Sequence, residues 1–222
     1  MWRDALLVAT KDLRIEMRSR VTVNQVAPLS VLILILFAFA LGPDRKPLVA
    51  ASAGLYWVAV LFAAVLAVQR SFAIESAESA RDGLRLWGLD PAGVFLGKAA
   101  AVGVQLLFLE VLMGAGVVLL YGAHITGILA AILTCVLATA GLAAVGVSYG
   151  AISSGLRVRE TLLPLLMLPV VAPVLLAATQ SWRSAVSGGT SNGEPWMALL
   201  AVFAAVYLAA GVLAFGPLLE ES

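Results

Sequence analysis

The sequence predicts an all-α integral membrane protein with six transmembrane helices. Hydrophobic residues make up 62% of its 222 residues and charged residues 12%, whereas a soluble domain is about half apolar and about a quarter charged. The apolar residues are concentrated in six stretches that short charged segments separate. Because hydrocarbon offers the backbone no hydrogen-bond partner, each stretch must pair its own N–H and C=O groups, and none shows the alternating pattern of a barrel strand.

A window of about 20 residues, the length that crosses the hydrocarbon core, defines the spans. They cover residues 26–41, 48–68, 99–121, 125–152, 162–179 and 196–215. Six spans leave no room for a second domain, so we expect one transmembrane domain over residues 1–222.

The basic residues predict the orientation of these spans. Of fourteen Lys and Arg, eleven lie in the N-terminal segment, the second-to-third connection and the fourth-to-fifth connection. The other three are Arg45, Lys46 and Arg183. By the positive-inside rule, both termini and the two longer connections face the cytoplasm.

The first twenty residues predict a helix that lies in the membrane surface. An apolar stripe at three- and four-residue steps consists of Trp2, Leu6, Ala9, Leu13 and Met17. The basic residues lie away from that stripe, as in an interfacial helix ahead of a span. The alternative is a short cytoplasmic helix with a solvated charged face.

The connection between the second and third spans, residues 70–98, predicts a short amphipathic helix over residues 75–89. Its charged residues suit docking onto a cytoplasmic partner, and the candidates are Arg70, Glu75, Glu78, Arg81 and Asp82. Gly83, Gly88 and the Asp90-Pro91 pair divide the segment into short pieces. An ordinary solvated loop is the alternative.

Glu110 is the only acidic residue near the middle of a span. An ionised carboxylate there costs at least about 2.5 to 3.5 kcal/mol, so we expect Glu110 to face a helix interface or a wet cavity, or to be protonated. It is a candidate for a transport pathway. The alternative is a neutral acid that hydrogen-bonds a neighbouring helix.

The fifth span contains Pro164, Pro169 and Pro173. Each proline removes a backbone donor and clashes with the carbonyl one turn back, so this helix is expected to kink or locally unwind. It is therefore a candidate pathway wall or hinge. A bent packing helix is the alternative.

His124, the sole histidine, lies in the short connection between the third and fourth spans. A neutral imidazole can ligate a metal or haem iron, although a lone histidine in a loop is more often simply exposed. No metal site is expected, since Cys135 stands alone in a span. The sequence contains no P-loop, no nucleophile elbow and no carboxylate pair near a histidine, so no catalytic residue is expected.

Several short motifs occur in an order and spacing that carry a family resemblance. They are Gly42-Pro43, Gly54 with Trp57-Val58-Ala59, Leu66-Ala67 leading to Arg70 and Phe72, Lys98, Gly155-Leu156, and Leu168-Pro169 with Pro173. In these the chain resembles the CcmB family, the membrane permease subunits of the cytochrome c maturation ABC transporter. Two motifs depart from the family pattern: Gln69-Arg70 stands where Glu-Arg is usual, and Asp82-Gly83-Leu84 falls later than expected.

The resemblance implies an ABC-2 exporter-like permease in the bacterial inner membrane, with a mitochondrial inner membrane as the second location. It implies a homodimer that binds a CcmA-type ATPase, which would hold ATP and Mg, and an assembly that includes CcmC, CcmD and the haem chaperone CcmE. The cycle would export haem or release the haem-loaded chaperone. No cofactor is expected on this chain itself, because the tryptophan-rich haem motif of CcmC proteins is absent.

Two other functions fit the sequence. One is the permease of another ABC-2 exporter, for a drug, a lipid or a polysaccharide. The other is a membrane protein without an ATPase, such as an assembly scaffold or a small secondary transporter. A secondary transporter should contain ion-coupling groups and inverted repeats, whereas Glu110 stands nearly alone and no repeat is evident.

Overall fold

The computed structural model describes residues 1–42, 44–77, 89–153, 159–186 and 193–221, of which 74–77, 159–160 and 218–221 are described by backbone only. This part of the chain is helical and contains no strand. Its helices are α1 (Trp2–Ser19), a π-helical turn (Thr22–Val26), α2 (Ala27–Ala40), α3 (Arg45–Ala77), α4 (Pro91–Tyr121), α5 (Ile128–Ser153), α6 (Arg159–Val186) and α7 (Glu194–Glu221).

Six of these segments are long and apolar enough to cross a membrane, namely the π-helical turn with α2, and α3 through α7. The predicted all-α membrane fold with six spans is therefore confirmed. The predicted start of the fourth span at Ile125 is three residues early, because Thr126 and Gly127 belong to the connection. Their amides donate to the carbonyl of Ala185 at 2.9 and 3.0 Å, which ties this connection to the end of α6.

Small residues allow the spans to pack closely. A Cβ atom at Gly146 of α5 would lie 2.5 Å from Cγ2 of Val68 on α3, and one at Gly150 would overlap the ring of Phe72. The sequence Gly146-x-x-x-Gly150 therefore forms the α3–α5 crossing, as spacing of small residues predicts.

The bundle has two ends, named here by a residue at each. At the Arg45 end, α4 stops at Gly122, whose φ of 67° suits a residue without a Cβ atom. The Arg45 side chain packs there, 3.1 Å from where a Cβ of Gly122 would be. The hydroxyl of Tyr121, the buried residue that precedes Gly122, donates to the carbonyl of Leu34 on α2 at 2.9 Å. The Lys98 end is opposite, where α1 meets the start of α4.

Helix α1 packs along the first two turns of α4, and both run in the same direction. A Cβ atom at Gly97 would lie 2.5 Å from the carbonyl oxygen of Ala5 and 2.7 Å from Cβ of Val8, so the two backbones are nearly in contact. The apolar stripe predicted to face the membrane points away from this contact. Trp2, Leu6 and Met17 are 76%, 70% and 78% exposed, which leaves that face free to enter the membrane surface.

Candidate functional site

Lys98 lies at a junction of three helices. It lies at the end of the second turn of α4, yet only 1% of its side chain is exposed. Its Nζ atom is 3.4 Å from the carboxylate of Asp12 on α1 and 3.4 Å from the hydroxyl of Ser71 on α3. It also lies 4.9 Å from the ring centroid of Phe72, a cation–π distance. We call this set of residues the Lys98 junction.

Burial of an ammonium group is costly unless charge and hydrogen-bond partners replace water. At the Lys98 junction, α1 supplies the countercharge and α3 supplies a hydroxyl and an aromatic face. The Asp12 carboxylate also forms an ion pair with the ammonium of Lys11, at 3.0 Å. The charged side chain of Lys98 can therefore stay buried only while α1, α3 and α4 remain packed together at this end.

Arg70, one of the residues predicted to dock on a partner, lies next to the Lys98 junction. Arg70 is exposed near the end of α3 and lines a cleft of about 370 Å³ with Gln25 and Ser153. Helix α3 continues unbroken to Ala77, so Glu75 lies on an extension of the second span and not in a separate helix. The reason is that no glycine or proline interrupts residues 66–77.

The remainder of the predicted coupling helix, with Glu78, Arg81 and Asp82, lies outside the described residues. Its role in coupling stays a prediction.

Glu110 lies deep in the bundle, where α3, α4, α5 and α6 meet. It is eleven residues before the end of α4 at Tyr121. That is roughly 16 Å along the helix, close to the middle of a hydrocarbon core of about 30 Å. Only 3% of the residue is exposed, and the hydroxyl of Thr139 on α5 donates a short hydrogen bond to its Oε1 atom. Glu110 thus faces a helix interface, one of the environments expected for it.

Tyr56 connects Glu110 to a group of aromatic residues on α3 and α6. The hydroxyl of Tyr56 on α3 donates to the Glu110 carbonyl at 3.2 Å and lies 3.5 Å from the sulfur of Cys135. The ring of Trp182 on α6 stacks on Tyr56 with centroids 4.3 Å apart, and Trp57 meets Tyr56 edge-on at 5.3 Å. Together with Thr139, these residues form what we call the Glu110 cluster.

Three polar atoms of the Glu110 cluster have no hydrogen-bond partner within the described ranges, namely Oε2 of Glu110 and the indole nitrogens of Trp57 and Trp182. Beside the cluster, α4 and α5 form an apolar groove of about 650 Å³. Its rim includes Val111, Leu119 and Ile128, which are 75%, 82% and 65% exposed. The groove therefore opens toward the outside of the bundle.

The three prolines of the fifth span do not interrupt α6, which is helical over its whole length. The expected local unwinding is absent. The face of α6 that packs in the core includes Leu163, Met167, Val171, Val174 and Ala178. Pro169 and Pro173 are exposed on the opposite side and Pro164 is half-buried, so their lost backbone bonds fall outside the core of this chain. Their role as a hinge or pathway wall stays a prediction.

His124 is exposed in the connection between α4 and α5, at the Arg45 end. Across the ranges that the structure describes, no group of three or more His, Cys, Asp and Glu side chains could hold a metal ion. Haem ligation by His124 stays a prediction.

Sequence reasoning singled out Glu110 but not Tyr56, Thr139 or Trp182, and it used Trp57 only as part of the family resemblance. Depth in the membrane would have found two of them, but it requires the helix ends that the structure shows. Tyr56 is eleven residues from the start of α3, and Thr139 is eleven residues from the start of α5, which places both at the level of Glu110.

The fold and the two sites define a class: helical membrane proteins with six spans, an amphipathic N-terminal helix and a charged junction at one end. The chain belongs to the CcmB family, described as CcmB protein, which it matches over residues 3–222. This confirms the resemblance inferred from the sequence.

Relatives named Heme exporter protein B support the assignment. The Haemophilus influenzae protein is 28% identical over 212 residues, covering 94% of this chain and 92% of the relative. The Pseudomonas aeruginosa protein is 30% identical over 177 residues, covering 78% of each. The Paracoccus denitrificans protein is 29% identical over 214 residues, covering 95% of this chain and 93% of the relative.

Proposed function

We propose that this chain is the permease subunit of an ABC transporter for cytochrome c biogenesis and that it takes part in haem export. The observation that carries the proposal is the CcmB match over residues 3–222, with relatives named Heme exporter protein B that align along most of the chain. The six spans supply the membrane part that such a transporter needs.

In this proposal a CcmA-type ATPase binds at the Lys98 end, holds ATP and Mg, and drives a homodimer of the permease. Helix α3 ends and α4 begins at that end, on either side of the 78–88 connection. A force applied to the connection would enter two continuous helices, which transmit displacement along their axes. CcmC, CcmD and the haem chaperone CcmE complete the assembly, and the cycle either moves haem or releases the haem-loaded chaperone.

The Lys98 end faces the cytoplasm of the bacterium in this proposal. Most of the basic residues lie in segments at that end, as the positive-inside rule requires. ATP is also available there. The Arg45 end, with the exposed His124, then faces the opposite side of the inner membrane.

A second candidate function is export of another lipophilic compound, such as a drug or a lipid. The groove between α4 and α5 favours it, because a cavity of about 650 Å³ with an apolar rim is open to molecules dissolved in the bilayer. Cytochrome c maturation in a deletion strain distinguishes the two functions, since a drug or lipid exporter would not restore it.

The coupling residues are tested by reversing the charges of Glu75, Glu78, Arg81 and Asp82 together. Single exposed charges are worth only about 0 to 1 kcal/mol, so the combined variant is needed. The matched control reverses four exposed charges at the Arg45 end, namely Asp44, Lys46, Arg183 and Glu194.

We expect the first variant to reach the membrane at the parent level but to lose co-purification of the ATPase or cytochrome c maturation, while the control keeps both. A reversed variant that assembles, hydrolyses ATP and matures cytochrome c like the parent would refute the coupling assignment.

A further inference from the structure

We infer that Lys98 is a positioning residue that joins α1 and the first turns of α4 into one unit, and that this unit delivers movement of the α3–α4 connection to the first span. The second half of this inference rests on the proposed function. The first half concerns the structure alone and has its own test.

Helix α1 is attached to α4 at three successive levels. At the first, a carboxylate oxygen of Asp4 accepts the backbone amide of Asp90 at 3.3 Å. At the second, Ala5 and Val8 lie directly on the glycine surface of α4. At the third, Asp12 pairs with Lys98. Two helices held at three levels along their length resist both sliding and rotation.

The third level differs from the others because it also includes α3. Ser71 and Phe72 contact the same ammonium group that Asp12 neutralises, and they lie on the helix that leads into the α3–α4 connection. Lys98 is on the helix that leads out of it. A displacement of the connection must therefore either move α1 as well or separate Asp12 from the buried ammonium of Lys98, which is unfavourable because that ammonium is shielded from water.

The C-terminal end of α1 passes the displacement to the first span over a short, structured link. Arg20 turns the chain with a φ of 52°, and its amide donates to the carbonyl of Glu16 at 2.7 Å. The Glu16 carboxylate accepts the amide of Thr22 at 2.5 Å, at the start of the π-helical turn that continues into α2. Helix α1 thus acts as a lever between the connection and α2, beyond its role as a membrane-surface anchor.

The structural half is tested by the accessibility of a buried position on α1. Val8 is 3% exposed because it lies against α4, so a Val8→Cys variant in a Cys135→Ser background should react slowly with a membrane-impermeant maleimide. Adding Lys98→Met removes the charge while keeping an apolar side chain of similar length. We expect at least about a tenfold faster reaction, because the ion pair that ties Asp12 to α4 is lost, and the Lys11 ammonium that Asp12 keeps lies on α1 itself. Lys46→Met, an exposed lysine at the Arg45 end, is the matched control and should leave the rate unchanged.

The coupling half is measured in the complete transporter. With Lys98→Met, the ATPase should still co-purify while cytochrome c maturation falls by at least about tenfold, since α1 is no longer tied to α4 through the Asp12–Lys98 pair. The exchange variant Asp12→Lys with Lys98→Asp should recover part of both losses. If Lys98→Met does not accumulate in the membrane, Asp12→Asn is used in the same two assays.

The outcomes separate the two halves. Parent-like protection of Val8→Cys in the Lys98→Met or Asp12→Asn variant refutes the attachment of α1 through Lys98. Faster labelling with normal maturation refutes the lever. If the parent chain itself neither binds an ATPase nor supports maturation, the proposed function and the lever both fail, while the labelling rates still decide the attachment.

Discussion

Glu110 and Thr139 offer a direct measurement of how a buried carboxyl group is accommodated in this bundle. Glu110→Gln keeps the shape of the side chain, and its amide oxygen can accept the Thr139 hydroxyl as Oε1 does now. We therefore expect the free energy of unfolding to change by less than about 1 kcal/mol. Insertion and cytochrome c maturation should stay at the parent level.

Removing the hydrogen bond from either side should be more costly. Glu110→Leu leaves the buried Thr139 hydroxyl without its acceptor, and Thr139→Val leaves Glu110 without its donor. Each should cost about 1 to 3 kcal/mol, because a buried polar group loses its partner. In the double variant the costs should not add. The coupling energy should lie between about 0.6 kcal/mol, the average for a hydrogen bond between membrane helices, and about 1.7 kcal/mol, the upper end of that range.

The assay is reversible unfolding of the purified chain in mixed detergent and SDS micelles, where the parent, Glu110→Leu, Thr139→Val and the double variant form one double-mutant cycle. A coupling energy indistinguishable from zero would show that the Glu110–Thr139 contact does not stabilise the bundle. Loss of maturation by Glu110→Gln, at parent stability and expression, would contradict the hydrogen-bonding role and require the ionisable carboxylate itself.

Three further predictions follow from the packing and the charge distribution. A reporter fused after Ser222 should be active in the cytoplasm and one inserted at Gly189 on the opposite side, and the reverse pattern would refute the orientation. Gly97→Leu should release α1 and lower stability by about 1 to 3 kcal/mol, measured by SDS unfolding, because its Cβ alone would lie 2.5 Å from the Ala5 carbonyl. Gly114→Leu on the same helix, with nothing within 4 Å of the added Cβ, is its control and should be near neutral. Tyr121→Phe removes the buried hydrogen bond to α2 and should cost about 0.5 to 1.5 kcal/mol in the same assay, and an unchanged midpoint would contradict it.

The number and type of the spans were predictable because hydrophobic composition alone decides which segments cross a bilayer. The ends of the helices were less predictable. A hydropathy window placed the third span at residues 99–121, whereas α4 begins at Pro91, with Asp90 as its N-cap. Lys98 lowers the hydropathy of that region without interrupting the helix, since lysine is a good helix former. Its burial depends on α1 and α3, which a local window does not include.

The packing of α1 against α4 was not predictable from the sequence, for a related reason. The predicted stripe is made mostly of large apolar residues, and three of them, Trp2, Leu6 and Met17, are exposed. The contact with α4 is made by Ala5 and Val8 on a surface opened by Gly93 and Gly97. Small residues contribute little to an amphipathic pattern, yet they determine how closely two helices approach.

Near the middle of the bundle, Glu110 was predictable from the sequence, but the residues that contact it were not. Thr139 is 29 residues away and Tyr56 is 54 residues away. Which residues of separate helices share a level depends on where each helix begins, and a slip of two residues turns a side chain by about 200° around its axis. The cost of burying a carboxyl group indicates that Glu110 must have a hydrogen-bond partner. Which residue is that partner depends on how the helices pack.

Helix α4 links the two sites and bears on how the proposed cycle would reach the middle of the membrane. Lys98 and Glu110 lie on the same helix, twelve residues or roughly 18 Å apart. An axial shift of α4 at the Lys98 junction would therefore arrive at the Glu110 cluster, where Thr139 and Tyr56 bind α4 from two other helices. The exposed prolines of α6 face away from this contact, so bending of α6 would not be needed to disturb it. The Glu110–Thr139 hydrogen bond would then resist movement of α4 past α5. Weakening this bond would change the coupling of ATP hydrolysis to transport, even though it lies far from the Lys98 end, where the ATPase is proposed to bind.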